Sequence, residues 1–329
     1  MERWRRSWRS WKERFSQDFE YESIVELASG PKRVVLQLKQ APSGSCALKQ
    51  KKETTSRRNE DHSKRSTSKV PGLAQRAELS LCHPEDDSSK GAPAEKKNAV
   101  DGVSQGESDA TLPDKAVTGG TVWDASLVLA KWLERNPMLV RGKRCIELGA
   151  GIGLVSSVAC CLGAELVVAS DRDEFVCLLD TNLRRTVRQV DAVRPELETG
   201  FALSSRLVAE KYHWESPADF ERLRSMYGSF DVILCADVIY EELASQALFQ
   251  TLMRLTEESI RTGVEPVIYL AQDEHLPQVF DDFLARMKKF FHMESVNNAE
   301  LDPVYSSDLI KVYVFRARHA VFTEKSKPD

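Results

Sequence analysis

Three short stretches of this 329-residue chain carry residues whose types and spacing suit chemistry on a bound ligand. The first is Glu147-Leu148-Gly149-Ala150-Gly151-Ile152-Gly153, which continues the apolar run begun by Cys145-Ile146. Glycines let a backbone turn sharply and approach a ligand closely, and the helix expected next offers free N–H groups at its start. The second is Asp171, an acid at the tip of the apolar run Leu166 to Ala169. Together they read as strand, glycine turn, helix and strand, one βαβ unit of a parallel sheet. The third is Asp237-Val238-Ile239-Tyr240, just past the apolar run Phe230 to Ala236. A carboxylate and a phenol three residues apart can face one cleft. Taken alone, the pair reads better as structure, with Asp237 capping a helix that begins near Glu241 and Tyr240 packed on a rim.

The glycine spacing separates two kinds of nucleotide site. A dinucleotide fingerprint needs G-x-G-x-x-G, with pyrophosphate on the helix N-terminus. Here Leu154 holds the third glycine's place. Glu147-Leu-Gly-Ala-Gly-x-Gly instead resembles motif I of the class I S-adenosylmethionine-dependent methyltransferases, in which the acid after the next strand takes both ribose hydroxyls. Asp171 stands at that position.

Thr121-Val-Trp-Asp-Ala, the glycine motif, Asp171, His213-Trp214 and Phe230-Asp-Val-Ile-Leu-Cys-Ala-Asp-Val-Ile-Tyr occur in one order. This set resembles the seven-β-strand protein-lysine methyltransferases of the methyltransferase-like family, marked by a D-x-x-Y motif after the fourth strand. The resemblance covers about Thr118 to Arg316, with residues 21–39 matching the family's N-terminal extension. It implies S-adenosyl-L-methionine as cofactor, held by Trp123, Glu147, Gly149, Ala150, Gly151, Gly153, Asp171, Trp214 and Ala236. It implies Asp237 and Tyr240 as catalytic residues, positioning a lysine amine for in-line displacement at the methyl group. No metal and no covalent enzyme intermediate are needed. The sequence departs from the family at Tyr212-His213-Trp214-Glu215, where Leu-x-Trp-Gly is common, and in an apparent insertion at 191–200.

The elements needed to position these residues alternate between apolar runs and helical periodicity, which predicts an α/β sheet covered on both faces. Helices are expected at 125–134, 174–187, 243–260 and 277–291. Strands are expected at 201–208, 230–236, 267–271 and 309–315, besides those of the βαβ unit. The fold class is therefore a Rossmann-like, doubly wound seven-stranded sheet, mostly parallel with an antiparallel last strand. Residues 118–318 are expected to hold it, followed by a flexible tail at 319–329. Ahead of it, Trp4, Trp8, Trp11 and Phe15 form an aromatic stripe in a basic helix at 1–20, suited to a membrane surface, a protein partner or the chain's own domain. Residues 21–40 read as a β-hairpin around Ser29-Gly30-Pro31. Residues 41–117, rich in Ser, Lys, Glu and Pro without apolar periodicity, read as a disordered insert.

Charge is unevenly placed: residues 1–117 carry 22 Lys+Arg against 18 Asp+Glu, and the remainder 24 against 32. An acidic domain binds a phosphate backbone poorly, which disfavours a nucleic-acid substrate. So does the lack of the Asn-Pro-Pro-Tyr and K-D-K-E patterns of base and ribose methylation. The expected partner is thus a protein presenting a lysine side chain to a monomeric enzyme. A small-molecule or nucleic-acid methyltransferase and a pseudo-enzyme scaffold are the alternatives. Seven cysteines without a C-x-x-C pair indicate neither zinc nor a disulfide framework. With no signal peptide and no membrane-length apolar run, a cytoplasmic protein is expected. The basic cluster between Lys49 and Arg65 reads as a solvated run, or else as a nuclear-import signal.

Overall fold

The computed structural model describes residues 18–25, 30–41, 118–193, 206–274, 276–318 and 322. Residues 1–17, the insert beyond Ala41, most of the 191–200 insertion and nearly all of the tail lie outside them. A hairpin comes first, β1 (Asp18–Val25) pairing antiparallel with β2 (Lys32–Lys39). It begins three residues before the predicted boundary. The domain then runs α1 (Asp124–Arg135), β3 (Arg144–Leu148), α2 (Leu154–Cys161), β4 (Leu166–Asp171), α3 (Asp173–Asp191) and β5 (Leu207–Lys211). It continues with α4 (Pro217–Tyr227), β6 (Val232–Ala236), α5 (Glu242–Arg261), β7 (Val267–Asp273), α6 (Pro277–Phe290), β8 (Phe291–Ser295) and β9 (Ile310–Ala317).

Seven strands form one sheet in the order β5-β4-β3-β6-β7-β9-β8. β5, β4, β3, β6 and β7 are mutually parallel, and β9 runs antiparallel to both β7 and β8. Successive side chains of a strand point to opposite faces. Accordingly Cys145, Val167, Val232 and Leu234 join the core under α1, α2 and α3. Ile146, Val168, Ile233 and Cys235 join the opposite core under α4, α5 and α6. The sheet is therefore doubly wound, as expected.

Three expectations need correction. The third strand of the parallel set is Leu207–Lys211, not 201–208. The helix ending at Phe290 passes directly into β8, a strand that was not predicted. Helix α4 was also unforeseen, although Ser216 caps it by accepting from the Asp219 N–H at 3.2 Å.

The hairpin belongs to the domain core. Tyr21, Val25, Val34, Leu36 and Leu38 are buried, and each such aliphatic side chain contributes roughly 1.5–3 kcal/mol. Asn182 of α3 fixes the end of β2, accepting from the Lys39 N–H at 2.8 Å and donating to its carbonyl at 3.0 Å. The Ala41 N–H donates to the Gly120 carbonyl at 2.8 Å, and the Val122 N–H donates to the Gln40 side chain at 2.9 Å. Both ends of the long insert thus meet at one backbone junction. β3, β4 and β6 run in parallel, so Leu148, Asp171 and Ala236 finish on one edge of the sheet, where ligands of open α/β sheets bind.

Candidate active site

β3 leaves the sheet into a loop that turns on left-handed glycines. Gly149 has φ +70° and Gly151 φ +55°, conformations that are strained for most side chains. Space for a side chain is tight there as well. A Cβ at Gly149 would lie 2.9 Å from Val238 Cγ1 and 3.4 Å from the Trp214 ring, and one at Gly151 would lie 3.2 Å from the Gly119 carbonyl oxygen. Gly153 answers to packing, since a Cβ would sit 2.7 Å from Leu179 of α3. The loop's far side is held by Asn182, whose amide donates to the Ile152 carbonyl at 3.0 Å.

Glu147 stands behind this loop. Only 2% exposed, it does not line the cavity in front. Its Oε2 accepts from the Ser156 N–H at 2.8 Å and from the Ser156 hydroxyl, tying β3 to α2. Burial pushes its carboxyl up to about 8, Ser156 pulls it back, and the nearby Asp171 adds to the rise. The structure thus places Glu147 as a strut of the glycine loop, not as a group presented to a ligand. Gly153 likewise lies outside the lining.

Asp171, the last residue of β4, faces the loop from the neighbouring strand. Its Oδ2 accepts from the Gly151 N–H at 2.7 Å and its Oδ1 from the Arg172 N–H at 2.8 Å. Burial pushes this carboxyl up to about 6, against those two amides and the Arg172 guanidinium, which favour its charged form. A carboxylate has about four acceptor positions. Capacity remains on both oxygens for a vicinal diol.

The Asp237–Tyr240 turn follows β6. The Asp237 N–H donates to the Ala271 carbonyl at 2.9 Å, and its backbone then enters the left-handed region at φ +57°. Among the described residues it is the one non-glycine residue there. Asp is one of the few side chains that tolerate this conformation. Val238 and Ile239 turn into the core, while Tyr240 is 44% exposed. The helix-capping alternative for Asp237 is not what the structure adopts: α5 starts after Glu241, with no side-chain cap. Instead Asp237 Oδ1 accepts from the Gln272 amide at 3.1 Å and the Asp273 N–H at 3.3 Å.

These groups share one cavity of about 580 Å³, a size ordinary for a cofactor site. Trp123, Gly149, Ala150, Gly151, Asp171, Trp214, Ala236, Asp237 and Tyr240 all line it. Sequence reasoning missed Gly119 and Phe175, which pack against each other: a Cβ on Gly119 would meet the Phe175 ring at 2.7 Å. It also missed Leu243, Ala244 and Ala247, one face of the first turns of α5. Their spacing of one and four was legible as a helical face, but nothing local says that it faces a ligand. The donor set fits an adenosyl group: an acid with acceptor capacity for the ribose diol, Phe175, Trp214 and Leu154 as apolar walls, and backbone closely approached at the glycines.

The lysine methyltransferase family profile matches residues 113–290 of this chain. The protein N-lysine methyltransferase METTL21A of Danio rerio is 30% identical over 176 residues, 54% of this chain and 70% of that protein. Its Mus musculus counterpart is 39% identical over 137 residues, 41% of this chain and 54% of that protein. The protein-lysine N-methyltransferase EFM3 of Chaetomium thermophilum is 33% identical over 184 residues, 54% of this chain and 49% of that protein. With the profile spanning more than half of its length, this chain belongs to the lysine methyltransferase family, enzymes that use S-adenosylmethionine.

Proposed function

We propose that this chain is a protein-lysine N-methyltransferase in which Asp171 and the glycine loop hold the cofactor, while Asp237 and Tyr240 hold the lysine amine. What carries the reading is the single cavity that joins Asp171 to Asp237 and Tyr240, one pair of elements suited to a nucleoside and the other to an amine. S-adenosylmethionine, when bound, supplies a methyl group on a sulfonium as electrophile. Everything else falls to the chain. A lysine amine has a reference pKa of about 10.4 and attacks only when neutral. Desolvation favours the neutral amine. Trp123, Leu243 and Ala244 line the same cavity and offer apolar surface to the aliphatic stem. The Asp237 carboxylate accepts a hydrogen bond from the amine N–H and the Tyr240 hydroxyl supplies a second contact. Together they aim the nitrogen lone pair, the positioning that converts a bimolecular encounter into an oriented one. Asp237 acts here as an orienting acceptor, and the ammonium proton leaves to solvent before transfer.

Incubation of the protein and a cell lysate with tritiated S-adenosylmethionine, followed by protease or nuclease, tests the reading. Protease-sensitive label that hydrolyses to methylated lysine is expected from the unaltered chain, and much less from Asp237→Ala. Label that is nuclease-sensitive, or confined to small molecules, would refute the protein-lysine assignment.

A further inference from the structure

Asp237 and Tyr240 are set by a residue on a different strand. Gln272, near the end of β7, is 1% exposed and surrounded by backbone, yet its amide is fully engaged. Its Oε1 accepts from the Ile239 N–H at 3.1 Å. Its Nε2, with two protons, lies within hydrogen-bond distance of three acceptors and shares a proton among them: the Ile239 carbonyl at 3.1 Å, the Asp273 carbonyl at 2.9 Å and Asp237 Oδ1 at 3.1 Å. One buried amide therefore grips both polar backbone groups of Ile239, the residue before Tyr240, and one oxygen of Asp237. The Asp237 N–H is anchored to the same strand through Ala271. Gln272 itself is outside the cavity lining.

Five residues between a strand and a helix, 237–241, have little structure of their own. This turn also contains a left-handed, non-glycine residue, a conformation that persists only where its surroundings over-determine it. The Ala271 carbonyl and the Asp273 N–H hold Asp237 from the main chain. The Gln272 amide is the side chain that extends this grip to Ile239, because glutamine alone among uncharged side chains of this length offers both a donor and an acceptor to a peptide unit. A methionine would fill the same space and satisfy none of these groups. A glutamate would retain the acceptor for the Ile239 N–H but oppose the Ile239 carbonyl and Asp237 with oxygen.

We infer that Gln272 is the positioning residue of this active site, fixing the Asp237 carboxylate and the path of the chain into Tyr240. The inference rests on the assignment of Asp237 and Tyr240 to the lysine amine. It implies that the catalytic half of the cavity is registered against β7, so a change at Gln272 reaches turnover without touching the cofactor half. Displacement of an orienting group by about an ångström lowers rates by up to about a hundredfold.

The test compares Gln272→Met and Gln272→Glu with the unaltered full chain. Cofactor affinity is measured by calorimetry, folding by thermal melting, and turnover by tritium transfer to protease-sensitive lysate protein at saturating S-adenosylmethionine. Amide exchange at Ile239 is followed by NMR. Gln272→Met is expected to lower turnover per folded molecule roughly ten- to hundredfold, with cofactor affinity within about threefold, and to speed exchange at Ile239. Gln272→Glu, which keeps volume and one acceptor, guards against loss of the fold and is expected to lose turnover too. Turnover within twofold of the unaltered chain in both variants would overturn the assignment, as would a loss that merely tracks cofactor affinity. If the unaltered chain labels no protein, the lysine reading fails by itself. Unchanged Ile239 exchange in Gln272→Met would then still overturn the positioning role.

Discussion

Asp171 and Asp237, two of the four acidic residues that line the cavity, stand at strand ends of the same sheet and are held in different ways. Asp171 is gripped by main-chain amides, one of them from the very loop that it must keep folded around a ligand. Asp237 is held by the Gln272 side-chain amide beside main-chain groups of Ala271 and Asp273, and stands on a left-handed turn. The first arrangement makes binding group and loop a single rigid object. The second leaves the reacting group adjustable through one residue of another strand. The difference teaches where each function is vulnerable: binding through the backbone of the loop, turnover through side chains around β7.

The strongest blow to that division is Gly149→Val, because Gly149 touches both halves. Its new Cβ would press on Val238 and Trp214, and a β-branched residue at φ +70° is strained in any case. Cofactor binding and methyl transfer are both expected to vanish in a protein that circular dichroism shows to be folded. Retained affinity with lost turnover would mean that the glycine loop belongs to the catalytic half instead.

Asp171→Ala comes next. Two hydrogen bonds from a diol to a charged acceptor are worth roughly 1.5–3 kcal/mol each, so calorimetry should show affinity weakened at least about a hundredfold. With its carboxyl pushed up to about 6, the unaltered protein should lose cofactor affinity as pH falls through that value, because the protonated acid no longer accepts from every partner. A flat affinity profile between pH 5 and pH 7, set as the measured range, would remove Asp171 from the ribose.

Asp237→Ala and Tyr240→Phe are expected to lower turnover roughly tenfold or more while cofactor affinity stays within a few-fold. Melting, calorimetry and tritium transfer on the same samples separate this from a structural effect. If turnover per folded molecule survives both changes, the contrast between the two acids collapses.

How much of this was legible depends on distance along the chain. The glycine spacing, Asp171 and the Asp-x-x-Tyr run are local patterns, and each lands in the cavity as expected. Gln272 is 35 positions from Asp237 and reads in sequence as a polar residue closing an apolar strand. Phe175 falls in the helix expected at 174–187, where nothing local marks it as facing a ligand. Glu147 reads with the cofactor residues because it sits in the motif, whereas its surroundings make it a buried strut. Strand β8 escaped notice because it follows α6 without a turn and, as an edge strand, is largely exposed. Tertiary partners decide such positions, and single-sequence periodicity does not contain them.

A smaller effect tests the strut. With its folded carboxyl raised to about 8, Glu147 takes up a proton on folding, so its contribution to stability is greatest below the unfolded value of about 4.3 and is lost as pH rises toward about 8. Glu147→Gln should therefore melt with less dependence on pH between 5 and 9, the range to scan, and gain on the unaltered chain at the alkaline end. A wild-type melting temperature that climbs through this range would contradict the buried acid. The smallest effect expected is that of replacing residues 42–117 with a short Gly/Ser linker. Ala41 and Gly120 are already bonded, and closure entropy changes only logarithmically with length. Melting temperature and cofactor affinity should hardly move, and a large loss of either would show that the insert supports one half of the cavity.

The grip of Asn182 on Lys39 and Ile152 also bears on how this enzyme can be divided. One side-chain amide staples the N-terminal hairpin, the longest helix of the cofactor side and the glycine loop at a single point. A gene fragment begun at residue 118, ahead of the cavity-lining residues of the domain, would strand Asn182 beside missing partners and bare the seat of Leu36 and Leu38. The smallest heritable unit that can bind a methyl donor is therefore discontinuous. Its two pieces are separated in sequence by residues 42–117 and meet in space at Asn182.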